Sequence, residues 1–234
     1  MIQKPDINVL PAHPTNTWSR NGQRIEYIVL HYVGAVSTAK NNAEYLHRDS
    51  NLGWSAHFFT DEHSIWQSVE LSLSAGHCGV DYSGGKAPFW GKCRNKNSIG
   101  IEMCCKQDAA GQWYIEPETV EHTVRLVRWL MAEYGVALDH VVRHYDVCRK
   151  TCPEPWVRDE AQWQAFRNKL KEEKTVIRYN TVAELPEHYR SETEKLIRRG
   201  ALRGRADGAL DLSEDMLRTM LVCQRMVDER EEPA

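Results

Sequence analysis

Two histidines and one cysteine in this sequence could together bind a metal ion. His31 follows an apolar run at 27–30, whereas His144 and Cys152 belong to one short stretch, His-Tyr-Asp-Val-Cys-Arg-Lys-Thr-Cys-Pro. Two imidazoles and a thiolate are a typical zinc set, and three protein ligands leave one tetrahedral position open to water. Zinc lowers the pKa of such a water to about 7 and polarises carbonyl groups, so these residues predict hydrolytic chemistry.

Other interpretations of the same residues stay open at this point. A histidine at a strand end is more often packed or solvated than bound to a metal. Cys148 and Cys152 could form a disulfide, or a redox or structural zinc site that does not involve His31. The Cys152 thiolate also needs stabilisation, for which Arg149 and Lys150 are the neighbouring cations.

The elements that must position these residues alternate between strands and helices, which is typical of an α/β domain. Residues 25–33 are apolar on both parities and predict a central strand covered on both faces, with His31 near its end and Gly34 as its stop. The stretch 76–97 predicts a long loop, which in a compact domain is more often functional than idle. The other predicted elements are a helix capped by Ser37 or Thr38, a hairpin of residues 55–60 and 64–69, a strand at 98–105, a helix from Pro117 to Gly135, a strand at 141–144 and a helix at 158–173.

These elements predict a mixed, mainly parallel central sheet flanked by helices over residues 1–173. A charged stretch at 171–174 predicts the boundary to a small helical C-terminal unit, residues 174–234. In that unit one helix is predicted from about Pro186 to Arg199 and a second from Ser213, with a tight turn at 204–208 between them and a frayed charged tail at 228–234.

Composition excludes some classes of partner and leaves one disulfide open. The net charge is −3, which predicts no nucleic-acid partner, and no segment is apolar enough for a membrane span. The N-terminal residues have no signal-peptide pattern, so synthesis in the cytoplasm is expected. Among the seven cysteines, Cys104 and Cys105 read as buried strand residues, while Cys78 and Cys93 could pair under oxidising conditions, which a reducing compartment disfavours.

Five motifs in order across residues 20–170 identify a family. They are Tyr27-Ile28-Val29-Leu30-His31-Tyr32, Ser55-Ala56-His57-Phe58-Phe59, Ala75-Gly76-His77, Asn97-Ser98-Ile99-Gly100-Ile101-Glu102, and Arg143-His144-Tyr145-Asp146 with Lys150-Thr151-Cys152-Pro153. Together they resemble the peptidoglycan amidases related to T7-type phage lysozyme and to animal peptidoglycan recognition proteins. Five ordered matches are far more specific than any one motif.

The resemblance implies a role for each residue of the site. His31, His144 and Cys152 are expected to hold zinc, and Glu102 to be the carboxylate that moves the proton from water to the leaving amine. Lys150 matches a residue expected to stabilise the charged tetrahedral intermediate.

Two further histidines are candidates for substrate binding. His57 and His77 could line the groove or orient a ligand from behind it. Some relatives place a tyrosine just before the position of His57, where this chain has Ala56. More of the acid–base work is therefore expected to fall on Glu102.

The expected function is zinc-dependent hydrolysis of the amide bond between N-acetylmuramic acid and L-alanine in peptidoglycan. The expected setting is that of a phage endolysin, which is made in the cytoplasm without a signal peptide and acts on the cell wall after release. The alternative is a binding module that recognises peptidoglycan without cutting it. Family members in that state typically lack the cysteine ligand, so Cys152 favours catalysis.

The C-terminal unit resembles a single S-layer-homology repeat over residues 179–227. Because one such repeat cannot bury its apolar face well alone, wall targeting and pairing in a homodimer are both expected roles. The residues that carry this resemblance are Tyr189, Leu196, Ile197, Gly200, Leu202, Gly204, Asp207, Gly208, Leu210, Leu212 and Arg218.

Overall fold

A ten-residue strand that carries His31 organises the first of two compact units in the computed structural model. The two units span Met1–Glu172 and Glu173–Ala234. The structure describes residues 2–171, 178–205 and 208–231, with side chains as far as residue 224. Most of the charged stretch 171–174 and of the tail 228–234, and two residues of the turn at 204–208, lie outside the described residues or side chains.

The first unit contains nine strands and five helices within its described residues. The strands are β1 (Asn8–Val9), β2 (Trp18–Ser19), β3 (Tyr27–Val36), β4 (Phe58–Thr60), β5 (Ile65–Gln67), β6 (Leu73–Ser74), β7 (Ser98–Gln107), β8 (Trp113–Tyr114) and β9 (Val141–Arg143). The helices are α1 (Ala39–Arg48), α2 (Pro117–Tyr134), α3 (His144–Cys148), α4 (Glu154–Arg158) and α5 (Glu160–Lys171).

The central sheet has the strand order β1-β5-β4-β7-β3-β9, and β8 pairs with β7. Strand β3 is parallel to both β7 and β9, and β4 is parallel to β7. Strands β4 and β5 form the predicted antiparallel hairpin. The prediction of a mixed, mainly parallel sheet flanked by helices is confirmed, and the carboxyl ends of β7, β3 and β9 meet at one edge.

Both faces of the sheet are buried, as the continuous apolar run of β3 predicts. Ile28 and Leu30 point into a core formed with α2 and α5, where Leu130 and Phe166 are also buried. Val29 points to the opposite face and belongs to a separate buried cluster with the two cysteines of the long loop and Val142. Burial of this kind stabilises a strand by about 2 kcal/mol for each large side chain.

The helix boundaries follow local signals in the sequence. The Thr38 hydroxyl accepts a hydrogen bond from the Asn41 N–H at 3.1 Å and caps α1. Pro117 occupies the first turn of α2, which ends where Gly135 adopts a φ of 67°. Within α2, Val124 and Val127 are buried.

Two predictions about the elements are wrong. Strand β3 does not end at Gly34, because a bulge after Tyr32, with φ of 66° at Gly34, lets it run on to Val36. His31 therefore lies in the middle of a strand. The strand predicted at 141–144 ends at Arg143, because α3 begins at His144. The helix predicted at 158–173 is α5, and Asp159 separates it from the short helix α4, which was not predicted.

The second unit contains two helices and a two-stranded sheet within its described residues. Helix α6 (Glu187–Arg198) follows Pro186, and α7 (Glu214–Glu231) follows Ser213, whose hydroxyl accepts from the Met216 N–H at 3.3 Å. Short strands β10 (Arg178–Tyr179) and β11 (Leu212–Ser213) pair antiparallel, which the sequence analysis did not predict. Four buried side chains form its core: Leu185, Tyr189, Leu212 and Leu217. Asp207 lies outside the described residues.

Within the described ranges, none of the helices combines the length and the apolarity that a bilayer crossing requires.

His57 is held in the core as a neutral ring. The Gly100 N–H donates to Nδ1 at 3.0 Å, and Nε2 lies 3.3 Å from the Leu73 carbonyl. A protonated imidazole would carry a proton on Nδ1 as well as on Nε2. The Nδ1–H would then face the Gly100 N–H, and neither could accept a hydrogen bond from the other. Burial, together with the nearby His77 and the Arg20 guanidinium, holds the pKa of His57 well below its usual range.

We expect His57 to make the first unit less stable in acid. Its pKa is about 6.5 in the unfolded chain and lower in the folded one, so its contribution is complete above pH 6.5 and is lost as pH falls. The loss is at most about 1.4 kcal/mol per pH unit for one proton. Urea unfolding between pH 8 and 5, followed by tryptophan fluorescence, measures it, since all eight tryptophans lie in residues 1–172.

The matched comparison for this prediction is His57→Gln, which keeps an acceptor for Gly100 but cannot titrate. The variant's free energy of unfolding should fall less steeply below pH 6.5 than that of the wild type. Equal slopes would show that protonation of His57 does not limit stability.

Candidate metal centre

The structure brings His31, His144 and Cys152 together as a buried group that could hold a metal ion. One potential ligand atom from each lies within 4.8 Å of the others. Cys152 Sγ is 3.7 Å from His31 Nδ1, and the two imidazole centroids are 4.5 Å apart. His31 lies more than a hundred positions before His144 and Cys152 in the chain.

Strand pairing and one tight turn produce this convergence. In the parallel pairing of β3 with β9, Leu30 is opposite Arg143, so the next residues, His31 and His144, emerge side by side. Helix α3 then ends at Arg149, which has a φ of 67° and reverses the chain. The Tyr145 N–H donates to the Cys152 carbonyl at 2.8 Å and fixes the returning segment against the start of α3.

A buried arginine holds this end of the sheet in place. The Arg143 guanidinium is 7% exposed and donates to the Trp156 carbonyl at 2.8 Å. It also pairs with Asp146 at 3.0 Å and with Glu160 at 2.7 Å. Arg143 thus ties β9, α3 and the two following helices together directly beside the ligand His144.

Burial keeps both imidazoles uncharged. It lowers the pKa of His31 well below the usual value and that of His144 to about 3, and the nearby histidines and Lys150 act in the same direction. Neutral imidazole is the form that binds metals.

The same burial raises the pKa of the Cys152 thiol, and Glu102 adds to the rise. The expectation that Lys150 lowers this pKa is right in direction, but the net pKa is raised. Lys150 acts downward but is outweighed by burial, while the Arg149 guanidinium lies 4.7 Å from the Tyr145 ring centroid. A thiolate at this position needs a cation much closer than either side chain.

Atoms without hydrogen bonds show that the donor set fits a metal. Among the described residues, neither ring nitrogen of His144 has a hydrogen-bond partner, although both are buried. Buried polar atoms without partners are uncommon and costly. Zinc would bind one of the His144 nitrogens and stabilise the Cys152 thiolate, so this two-histidine, one-cysteine set fits that ion.

Glu102 lies beside the same group. It is opposite His31 in the pairing of β7 with β3, and its Oε1 is 3.9 Å from His31 Nδ1. Its side chain is only 15% exposed, which excludes a solvent-facing carboxylate, and burial raises its pKa to about 8, with the Lys150 charge opposing. Lys150 itself is exposed and acts on the pKa of all four residues of the site.

The two other candidate histidines lie behind the group. His77 is partly buried, and its Nδ1 is 3.0 Å from His31 Nε2, on the side of the ring away from Cys152. His57 is fully buried and has no exposed surface with which to contact a substrate. The sequence analysis missed Ser98, whose Oγ lies 3.0 Å from His77 Nε2. The sequence feature that could have indicated Ser98 is its position inside one of the five matched motifs.

The long loop between β6 and β7 carries the two cysteines whose pairing was left open. Cys78 and Cys93 are both buried free thiols, and the Cys78 thiol donates to the Asn95 side-chain oxygen at 3.3 Å. Cys104 and Cys105 are buried on β7, as predicted.

Residues 21–155 match the model of the family described as N-acetylmuramoyl-L-alanine amidase (Amidase_2). The match covers more than half of the chain and contains all residues of the site. The chain belongs to this amidase family.

Relatives of known name agree with this membership. A probable N-acetylmuramoyl-L-alanine amidase of Bacillus licheniformis is 32% identical over 163 residues, which are 66% of this chain and 44% of that protein. The chain thus spans less than half of the length of this curated relative. The catalytic domain of XlyA is 25% identical with a TM-score of 0.55, over 71% of this chain and 99% of that domain. PlyL, 22% identical with a TM-score of 0.58 over 72% of this chain and 98% of its own, shares the fold.

We expect zinc binding by the first unit to depend on Cys152 and not on Cys148. Both thiols are buried in the same segment, but only Cys152 belongs to the metal-capable group. Cys152→Ser should lose most of its bound zinc, because it replaces a soft thiolate with a hydroxyl. Metal content per chain after dialysis against dilute zinc measures the effect.

Cys148→Ser is the matched control and should retain zinc, whereas His31→Ala should lose it. Zinc retained by His31→Ala and lost by Cys148→Ser would instead support a site built on Cys148 and Cys152.

Proposed function

We propose that this protein is a zinc-dependent hydrolase that cuts the amide bond between N-acetylmuramic acid and L-alanine in bacterial peptidoglycan. The observation that carries the proposal is the buried convergence of His31, His144 and Cys152 beside Glu102. Membership of the amidase family and the names of the relatives support the choice of bond. The retained cysteine ligand favours catalysis over a binding module.

In this proposal the two imidazoles and the thiolate hold the ion, and its three ligands leave room for reactants. When bound, zinc would polarise the scissile carbonyl and make water acidic enough to attack near neutral pH. The protein's own task is to hold neutral histidines and a thiolate in a dry site, and the burial of all three residues supports it.

Glu102 is proposed to transfer the proton. Amide cleavage requires a protonated leaving nitrogen, and a carboxylate beside the metal group can take a proton from water and give it to that nitrogen. Its Oε2 is buried without a hydrogen-bond partner among the described residues, so this oxygen is available to a reactant. Ala56, buried where some relatives have a tyrosine, offers no alternative acid.

Lys150 is proposed to stabilise the oxyanion that forms as water attacks the carbonyl. Its exposed ammonium acts on the pKa of Glu102, His31 and His144, which supports a position over the site. A cation placed before the reaction lowers the energy of a developing negative charge without reorganising.

We further propose an endolysin-like setting, in which the protein acts on the cell wall after release from the cell. The second unit is proposed to assist by wall attachment, as the resemblance to an S-layer-homology repeat implies, or by self-association. Its own four-residue core supports a separate accessory role. Sedimentation with purified walls and the mass in solution distinguish the two.

Digestion of purified walls should release amino groups of L-alanine without new reducing sugar ends. Cleavage at the proposed bond leaves the glycan intact, whereas a glycosidase would create reducing ends. Both groups can be quantified in one digest over time. An increase in reducing ends, with no new L-alanine termini, would exclude the proposed bond.

Glu102→Gln should lower the turnover number by about 10²–10⁴ while leaving bound zinc unchanged, because it removes proton transfer but no ligand. Glu26→Gln is the control, since Glu26 precedes the opposite end of β3 and accepts a hydrogen bond from Asn97. Hydrolysis of a muramoyl-peptide and metal content are measured in parallel. Activity of Glu102→Gln within threefold of wild type would remove Glu102 from the mechanism.

A further inference from the structure

A chain of hydrogen bonds runs from a backbone carbonyl in the long loop to the ligand His31. The Ser98 hydroxyl donates to the Arg94 carbonyl at 2.7 Å. Ser98 Oγ is 3.0 Å from His77 Nε2, and His77 Nδ1 is 3.0 Å from His31 Nε2. The last atom in the series, His31 Nδ1, faces Cys152 Sγ at 3.7 Å.

The direction of every proton in this chain follows from its first bond. A carbonyl oxygen can only accept, so the proton between Ser98 and Arg94 belongs to the hydroxyl. Ser98 Oγ must then accept from His77 Nε2–H, which leaves a lone pair on Nδ1 of a neutral His77. That lone pair accepts from His31 Nε2–H. A neutral His31 therefore has its free lone pair on Nδ1, the atom turned toward Cys152 and Glu102.

Packing against β7 holds the His77 ring in this position. The ring lies against the backbone of β7 at Gly100, where a Cβ would be 2.6 Å from His77 Cγ. The backbone N–H groups of His77 and Cys78 both donate to the Asn95 side-chain oxygen, at 3.1 and 2.8 Å. The glycine provides the space, and Asn95 fixes the approach of the main chain.

We propose that His77 and Ser98 are positioning residues that set the tautomer of His31, so that Nδ1 is the atom presented to the metal. The inference deepens the zinc-dependent function proposed above and rests on it. It assigns His77 to support of a ligand rather than to the substrate. Groups behind a ligand histidine that fix its tautomer typically change metal affinity by 10- to 100-fold when removed.

The first test uses the full-length protein without metal. Two-bond ¹H–¹⁵N spectra at pH 8 distinguish the two neutral tautomers of each histidine, with His31→Gln assigning the His31 signals. The wild type should show His31 protonated at Nε2. Ser98→Ala should show a mixture, because His77 loses the acceptor that fixes its own proton. A wild-type His31 protonated at Nδ1 would overturn the proposal.

The second test measures zinc affinity by competition with a chelator. Ser98→Ala and His77→Ala should each bind zinc about tenfold or more weakly than the wild type. His77→Asn should recover most of the affinity, because its Oδ1 can take the place of Nδ1 and accept from His31. Ser68→Ala is the matched control, since Ser68 is buried and its hydroxyl has no hydrogen-bond partner among the described residues.

Thermal unfolding of the metal-free variants separates positioning from folding. Ser98→Ala should lose zinc affinity with a melting temperature close to that of Ser68→Ala. Unchanged affinity in both Ser98→Ala and His77→Ala would overturn the inference while leaving the zinc function intact. A wild type that binds no zinc would overturn the proposed function, whereas the tautomer spectra would still test the hydrogen-bond chain.

Discussion

The site depends on one arrangement, the parallel placement of β3 between β7 and β9. Residues that are paired on adjacent parallel strands point their side chains to the same face of the sheet. The pairing of β3 with β7 therefore places Glu102 beside His31. The same geometry on the other edge brings His144 to the end of β9. A register shift of one residue in either pairing would turn the side chain to the opposite face of the sheet. The apolar cores on both faces hold the register, because each strand buries side chains on alternate sides.

Burial leaves this group of residues in forms that could bind a cation. Two imidazoles are kept neutral, and the thiol and carboxyl are kept from ionising, because removal from water penalises each charged form. The two histidines, the thiol and the carboxyl therefore offer lone pairs, and none of the four carries a positive charge. Lys150 lies on the exposed side of this group. A dication reverses this balance, since it stabilises the thiolate that burial alone disfavours. A bound dication would thus stabilise the site.

Much of the fold could be predicted from sequence because its signals are local. The apolar run of β3, the Thr38 cap and the Pro117–Gly135 boundaries of α2 each depend on neighbouring residues. The metal group was predicted through ordered motifs, since its members lie too far apart for spacing to reveal contact. The bulge at Gly34 depends on tertiary packing, which periodicity does not report. Ser98 was missed because a serine beginning a strand gives no sign of the histidine above it.

The long loop between β6 and β7 acquires a physical explanation from the same contacts. The 23 residues between these strands would be costly to order, yet Cys78 and Cys93 are buried in a core of their own against β3. That anchoring places Asn95 and the Arg94 carbonyl near the start of β7, on the face of the sheet that also carries His31. Gly100 then admits His77 between loop and strand. Because a metal ligand is oriented by what lies behind it, the loop belongs to the site even where none of its atoms would touch the ion.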